Sequence, residues 1–348
     1  MISAPQATRR RLLWPVLVVV LVGSVAANLA MGAVSVAPSD VISVLLDHLG
    51  IDSGNDVTRQ ADSVVWSLRL PRLVLALAVG AGLGTAGAVL QGLFRNPLAD
   101  PQIIGISSGG ALGAAIVLAA APGFLGDFGG SVGGFLGALA IAALVFVLGR
   151  YHGRTEVVNL VLTGVALSAV AAAAVGYLSF AIDNPRLQTA VFWFLGSFSL
   201  ATWDLVRPAL LFIGVALVIA PLFARRLDLL LVGESEARHL GVDVERTRAA
   251  LLVIVSLAVG ASVAAAGIIG FVGLLVPHAV RLVAGPLHRT VIPASAVGGA
   301  ALMALADLGG RTLALPSEIP VGLLTALVGG PFFLWLLRRT RAQYGGWG

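Results

Sequence analysis

Two glycine-spaced motifs offer chemistry at first reading. Gly105-x-Ser107-x-Gly109 has the spacing of a nucleophile elbow, in which a sharp strand-to-helix turn presents a serine. Gly82-x-Gly84-x-x-Gly87 has the spacing of a dinucleotide fingerprint, which needs a strand before it and an acid about 20 residues on. Both lie in apolar runs with no strand signal ahead of them. For the Gly82 motif, backbone-to-backbone helix packing is the stronger reading. The histidines, His48, His152, His239, His278 and His288, fall near predicted loops or span ends and form no metal-ligand pair at helical spacing. Cysteine is absent, which excludes thiol catalysis, disulfides and Cys-ligated metals. No Walker A sequence occurs, so the chain does not hydrolyse ATP itself. What remains is arginine chemistry. All 22 basic residues are Arg, whose planar fork suits carboxylates. Arg69, Arg72 and Arg311 are the ones whose placement asks for an explanation.

The elements that must position them follow from composition. Hydrophobic residues make up 58% of the 348 and charged ones 11%. A soluble domain carries roughly 25% charged residues, so this chain cannot cover a water-facing surface. That excludes a soluble enzyme, a disordered chain and a nucleic-acid reader. The sequence predicts an all-α integral membrane protein, one polytopic domain over 1–348. Ten apolar runs are each close to the length of a span. The first follows Arg9-Arg10-Arg11; the others centre near 74–93, 103–121, 132–149, 157–180, 205–223, 249–267, 268–284, 291–309 and 319–337. Gly267, Gly270, Gly273 and Pro277 divide the seventh run from the eighth. With both termini cytoplasmic, 16 of the 22 arginines fall inside, as the positive-inside bias requires.

Arg69, Arg72 and Arg311 then lie outside, against that bias, where a soluble partner could land. Snorkelling to headgroups is the plain alternative. The segment 34–62 is an outer stretch, with a short surface helix starting at Pro38-Ser39-Asp40. Asn96-Pro97-Leu98-Ala99-Asp100-Pro101 makes a rigid break at the inner end of the second span. The longest inner polar stretch is 228–248, with five acids and three arginines around Leu240, Val242 and Val244. Its composition predicts a short helix that touches a cytoplasmic partner. Few ionisable groups fall mid-span, which argues against a secondary carrier.

On the stretches RLPR, LQGLFRNPLADPQIIGISSGGALGA, GESEARHLGV, GFVGLLVPHAVR and LPSEIPVGLLTALVGGPFFLWLL, residues 60–340 resemble the permease subunit of type II ATP-binding-cassette importers for iron chelates and cobalamin. The resemblance implies ten helices per subunit and a homodimer in a bacterial inner membrane. It implies two cytoplasmic ATPase subunits that bind the ATP, one periplasmic binding protein, and no cofactor or metal in this chain. It also implies that the fifth and tenth spans line the path. By resemblance, Arg69, Arg72 and Arg311 pair with glutamates on the binding protein. Asn96 and Leu98 fall on one cytoplasmic gate loop. Thr155 falls on a second, with Glu156 where a small residue is common. Glu234, Ala237 and Gly241 match the coupling helix of 228–248. Arg186 opens a stretch running to Ser197 that is similar to the FWxLGS stretch of haem permeases, which makes it a path candidate. The substrate reading leans to haem, with ferric siderophores and cobalamin as alternatives. A membrane-embedded hydrolase using Ser107 is the distant one.

Overall fold

The computed structural model describes every residue except 1–3, 33, 35, 52–56, 122, 124, 152–153, 156, 182–194 and 344–348. Seven of its helices are long and apolar enough to cross a membrane, and three shorter apolar helices, Ile106–Ala120, Val272–Ala284 and Val321–Trp335, fall between or after them. Together they coincide in order with the ten runs read from the sequence. In chain order the helices are α1 (Ala4–Ala30), α2 (Pro38–His48), α3 (Arg59–Leu93), α4 (Ile106–Ala120), α5 (Gly129–Leu148) and α6 (Val157–Ala181). There follow α7 (Trp203–Ile219), α8 (Ala224–Val232), α9 (Glu234–His239), α10 (Val244–Ala266), α11 (Val272–Ala284), α12 (His288–Thr312) and α13 (Val321–Gln343). A two-residue antiparallel hairpin, Arg150–Tyr151 with Arg154–Thr155, joins α5 to α6.

The centre of the bundle is α3, buried over most of its length. Its glycines set how close the neighbours come. A side-chain carbon at Gly80 would run into the backbone of Gly299 on α12, one at Gly84 into Ser295 on α12, and one at Gly87 into Gly273 on α11. The Gly82 motif is therefore a packing stripe. The same logic joins α4 to α5 through Gly109, Gly113, Gly133 and Gly137, and α5 to α10 through Gly134 and Gly260. In lipid there is no hydrophobic drive between helices, so close backbone approach supplies much of the cohesion. The break between α10 and α11 comes at Gly267–Phe271, whose first and last residues both have positive φ.

One boundary differs from the sequence reading. The helix predicted to start near 74 already begins at Arg59, and Ser63–Arg69 is wound as a π-helix. Arg69 and Arg72 thus lie inside a continuous helix and not at its tip. Polar residues around 59–69 hid that extension from a hydropathy reading.

Candidate functional site

The charged residues collect at two ends of the bundle. From Arg72 to Leu93 along α3, at 1.5 Å per residue, is about 32 Å. From His288 to Arg311 along α12 is about 35 Å by the same rise. Each distance is close to the roughly 30 Å of a bilayer's hydrocarbon core. Two antiparallel helices, one running each way, therefore place the same two clusters a membrane apart.

At the first end, Asp307 on α12 is fully buried and receives two arginines. Arg72 Nε donates to Asp307 Oδ1 at 2.8 Å, and Arg72 Nη1 donates to both carboxylate oxygens of Glu318, at 3.1 and 2.9 Å. Arg311 Nε lies 3.2 Å from Asp307 Oδ2, one helical turn on, although its N–H does not point at that oxygen. Arg311 Nη2 donates to Asn28 Oδ1 at 2.6 Å. Asn28 in turn donates to the carbonyl of Ala304 at 2.8 Å, which ties α1 to α12.

Arg69 does something different. Only 6% of it is exposed, and its guanidinium donates to the carbonyls of Leu29, Ala30 and Val34. The last carbonyls of a helix have no partner within the helix. Arg69 closes the C-terminal end of α1. Any outside carboxylate would have to compete with those carbonyls.

At the second end, α3 gives way to Asn96–Pro101, built as two successive turns of the same kind. Asn96 Oδ1 accepts from the Leu98 N–H at 2.9 Å, and Asp100 Oδ1 accepts from the Gln102 N–H at 2.8 Å. In each, proline follows the turn-forming side chain and fixes the backbone. Burial pushes the Asp100 carboxyl up to about 6, while the N–H groups of Gln102, Ile103 and Leu274 pull it down. The bond to Leu274 fastens this loop to the first turn of α11. Asn96 and Leu98 line an apolar cavity of about 310 Å³ together with Leu160 and Leu162 of α6 and Phe333 of α13. Thr155 lies on the hairpin leading into α6, paired with Arg150.

The polar stretch 228–248 folds as the end of α8, a kink at Gly233, the short α9 and the start of α10. Gly241 has φ of +83°. The Gly241 N–H bonds to the Arg238 carbonyl and the Val242 N–H to the Ala237 carbonyl, the two bonds of a Schellman ending. Ala237 is fully buried and packs the segment from within. Glu234 is the ionic hub. It pairs with Arg248, with Arg238 at 3.8 Å and with Arg95 at 4.0 Å. Leu240, at the turn, is 63% exposed.

The structure thus groups Arg72 with Arg311, and Asn96 with Leu98, and sets Glu234 and Ala237 in one small helix that the turn at Gly241 ends. Arg186 lies outside the described residues. Ser107 is buried in the first turn of α4, and among the described residues no hydrogen bond joins its hydroxyl to a histidine or carboxylate. The partners missed from sequence were Asn28, Asp307, Glu318, Arg95, Asp228 and His288. Of these, only the i,i+4 spacing of Asp307 and Arg311 was a readable signal.

The sequence matches the FecCD transport family over residues 17–339. This chain belongs to the FecCD transport family. It is 43% identical to the hemin transport system permease protein of Yersinia pestis, over 84% of this chain and 88% of that one. It is 43% identical to the cobalamin import system permease protein of Halobacterium salinarum, over 81% and 75%. A solved structure described as an inward-facing metal-chelate type ABC transporter superposes with a TM-score of 0.77 at 32% identity, covering 94% of this chain and 99% of that one. As a FecCD permease the chain is a transport subunit and not an enzyme; ATP hydrolysis belongs to a separate subunit.

Proposed function

We propose that this chain forms the membrane path of an ATP-driven importer for an iron chelate, with haem as the substrate. The observation that carries the reading is the FecCD match over nearly the whole chain, on a bundle with ten apolar helices in the expected order. Haem is favoured because, of two relatives each 43% identical, the hemin permease aligns over larger shares of both chains than the cobalamin permease of Halobacterium salinarum. The vitamin B12 permease of Vibrio cholerae, which aligns over 86% and 90%, is only 37% identical. The FW-x-LGS stretch at 192–197 points the same way. Ferric siderophores and cobalamin are the alternatives.

In this reading two copies enclose the path, with both termini and the 228–248 segment on the cytoplasmic side. Two ATPase subunits meet that segment, where exposed Leu240 suits an apolar groove. A binding protein lands on the opposite end and offers carboxylates to Arg72 and Arg311, with Arg69 behind them. Asn96, Leu98 and Thr155 close the path on the ATPase side. Arg186 is the candidate substrate contact. The test is to purify the cognate binding protein and titrate it with haem. A Soret band at one haem per protein is the expected result. Saturation by a ferric siderophore or cobalamin, with no Soret band, would replace haem by that ligand.

A further inference from the structure

Of the residues joining the 228–248 segment to the end of α3, Arg95, Asp228 and His288 have no part in the assignments above, and two separate contacts make that junction. At the first, α3 ends with a Schellman turn in which the Arg95 N–H bonds to the Gly92 carbonyl and the Asn96 N–H to the Gln91 carbonyl. Arg95 occupies the left-handed position, with φ of +49°. Glycine is the residue that position favours, and glycine is what the matching turn uses at Gly241. A bulky residue there carries local strain, which calls for a use of its side chain. The Arg95 guanidinium reaches Glu234, the first residue of α9, which is also gripped by the buried Arg248.

At the second contact, Asp228 Oδ1 lies 2.8 Å from both the backbone N and ring Nδ1 of His288. The His288 ring is fully buried against Gly92, where any side-chain carbon would collide with it. Its Nε2 is 3.4 Å from Arg281 Nη2, and that nitrogen donates to the Ala88 carbonyl at 3.1 Å. Asp228 therefore reaches α3 through His288, one turn before the 94–105 loop.

We infer that the 228–248 segment holds the end of α3 at these two points and carries the Asn96–Leu98 loop with it as one rigid unit. Arg95, Asp228 and His288 are positioning residues for the gate. The inference rests on the reading that 228–248 meets the ATPase and that the loop closes the path. A load applied near Leu240 passes through Glu234 to Arg95, the residue next to Asn96. An exposed ion pair contributes little to stability, so Arg95 can be changed without loss of the fold.

The absence of cysteine from this chain allows a direct experiment on the complete importer in proteoliposomes, with any cysteines of the partner subunits replaced. In Arg95→Cys/Glu234→Cys, a short bifunctional thiol reagent bridges the two positions. A rigid unit predicts ATP-driven uptake that survives bridging; uptake that stops on bridging shows that the contact must open, and overturns the inference. Arg95→Gly suits the left-handed turn and removes the whole side chain, guanidinium included. It should lower substrate moved per ATP by about threefold or more while ATP hydrolysis persists. An unchanged ratio overturns the inference. Leu240→Asp tests the reading underneath. Loss of ATPase co-purification supports that reading, and normal co-purification removes it and the inference together.

Discussion

Replacing Asp307 with Ala should be among the costliest single changes in this protein. The carboxylate is fully buried between two guanidinium groups, Arg72 at 2.8 Å and Arg311 at 3.2 Å. Removing one member of a buried pair leaves an uncompensated charge and typically costs about 3–5 kcal/mol. Here each arginine keeps something. Arg72 retains Glu318 and Arg311 retains Asn28, so the low end, about 3 kcal/mol, is the working figure. Glu318 holds the same Arg72 from the surface with 43% of its side chain exposed, so Glu318→Gln should cost under about 1 kcal/mol. The assay is thermal unfolding of the purified permease in detergent, comparing Asp307→Ala, Glu318→Gln, Arg311→Met and the double variant Asp307→Ala/Arg311→Met. The double variant should cost less than the sum of its parts, because the second change removes the charge the first stranded. If Asp307→Ala and Glu318→Gln melt together, Asp307 is not the hub of that end, and the reasoning fails.

Three further outcomes follow from the geometry. The Asp100 carboxyl is raised from 3.8 to about 6, so the folded state holds its proton where the unfolded chain has lost it. Its contribution is fully present below pH 3.8 and is lost as pH rises through about 6; stability measured against pH should fall across that window, by at most about 3 kcal/mol, and Asp100→Asn should flatten the fall. Arg69→Met strands the carbonyls at the end of α1 and should cost about 1–3 kcal/mol in the same melting assay; a charge reversal there that weakens partner capture with no loss of stability would count against its capping role. Gly241→Ala forces a side chain into the left-handed turn at a cost of roughly 1–2 kcal/mol, and co-purification with the ATPase should fall more than for Gly241→Asn.

The spans were legible because lipid leaves only one signal to read, apolar length, and the ten runs carry it clearly. The glycine stripes were legible as packing for the same reason: Gly82–Gly87 in an apolar helix has no other use. The arginines were legible as anomalies of charge, but not in their bonds. Nothing in the sequence pairs Arg69 with the carbonyls of Leu29 and Ala30, since they meet only after α1 and α3 pack. Asp228 and His288 are 60 residues apart, and Arg72 and Asp307 235, so no local spacing announces either pair. Ala237 was placed on the coupling helix by resemblance alone; its full burial, which the sequence does not announce, makes it a packing position within that helix.

Uptake by proteoliposomes tests the central claim most directly. The permease is reconstituted with its ATPase subunits, ATP is enclosed on their side, and haem-loaded binding protein is added on the other. Haem should accumulate only when ATP is hydrolysed, and should continue to do so after ion gradients are collapsed. Haem uptake that proceeds without the ATPase subunits and stops with the ion gradient would show a carrier in place of an ATP-driven path.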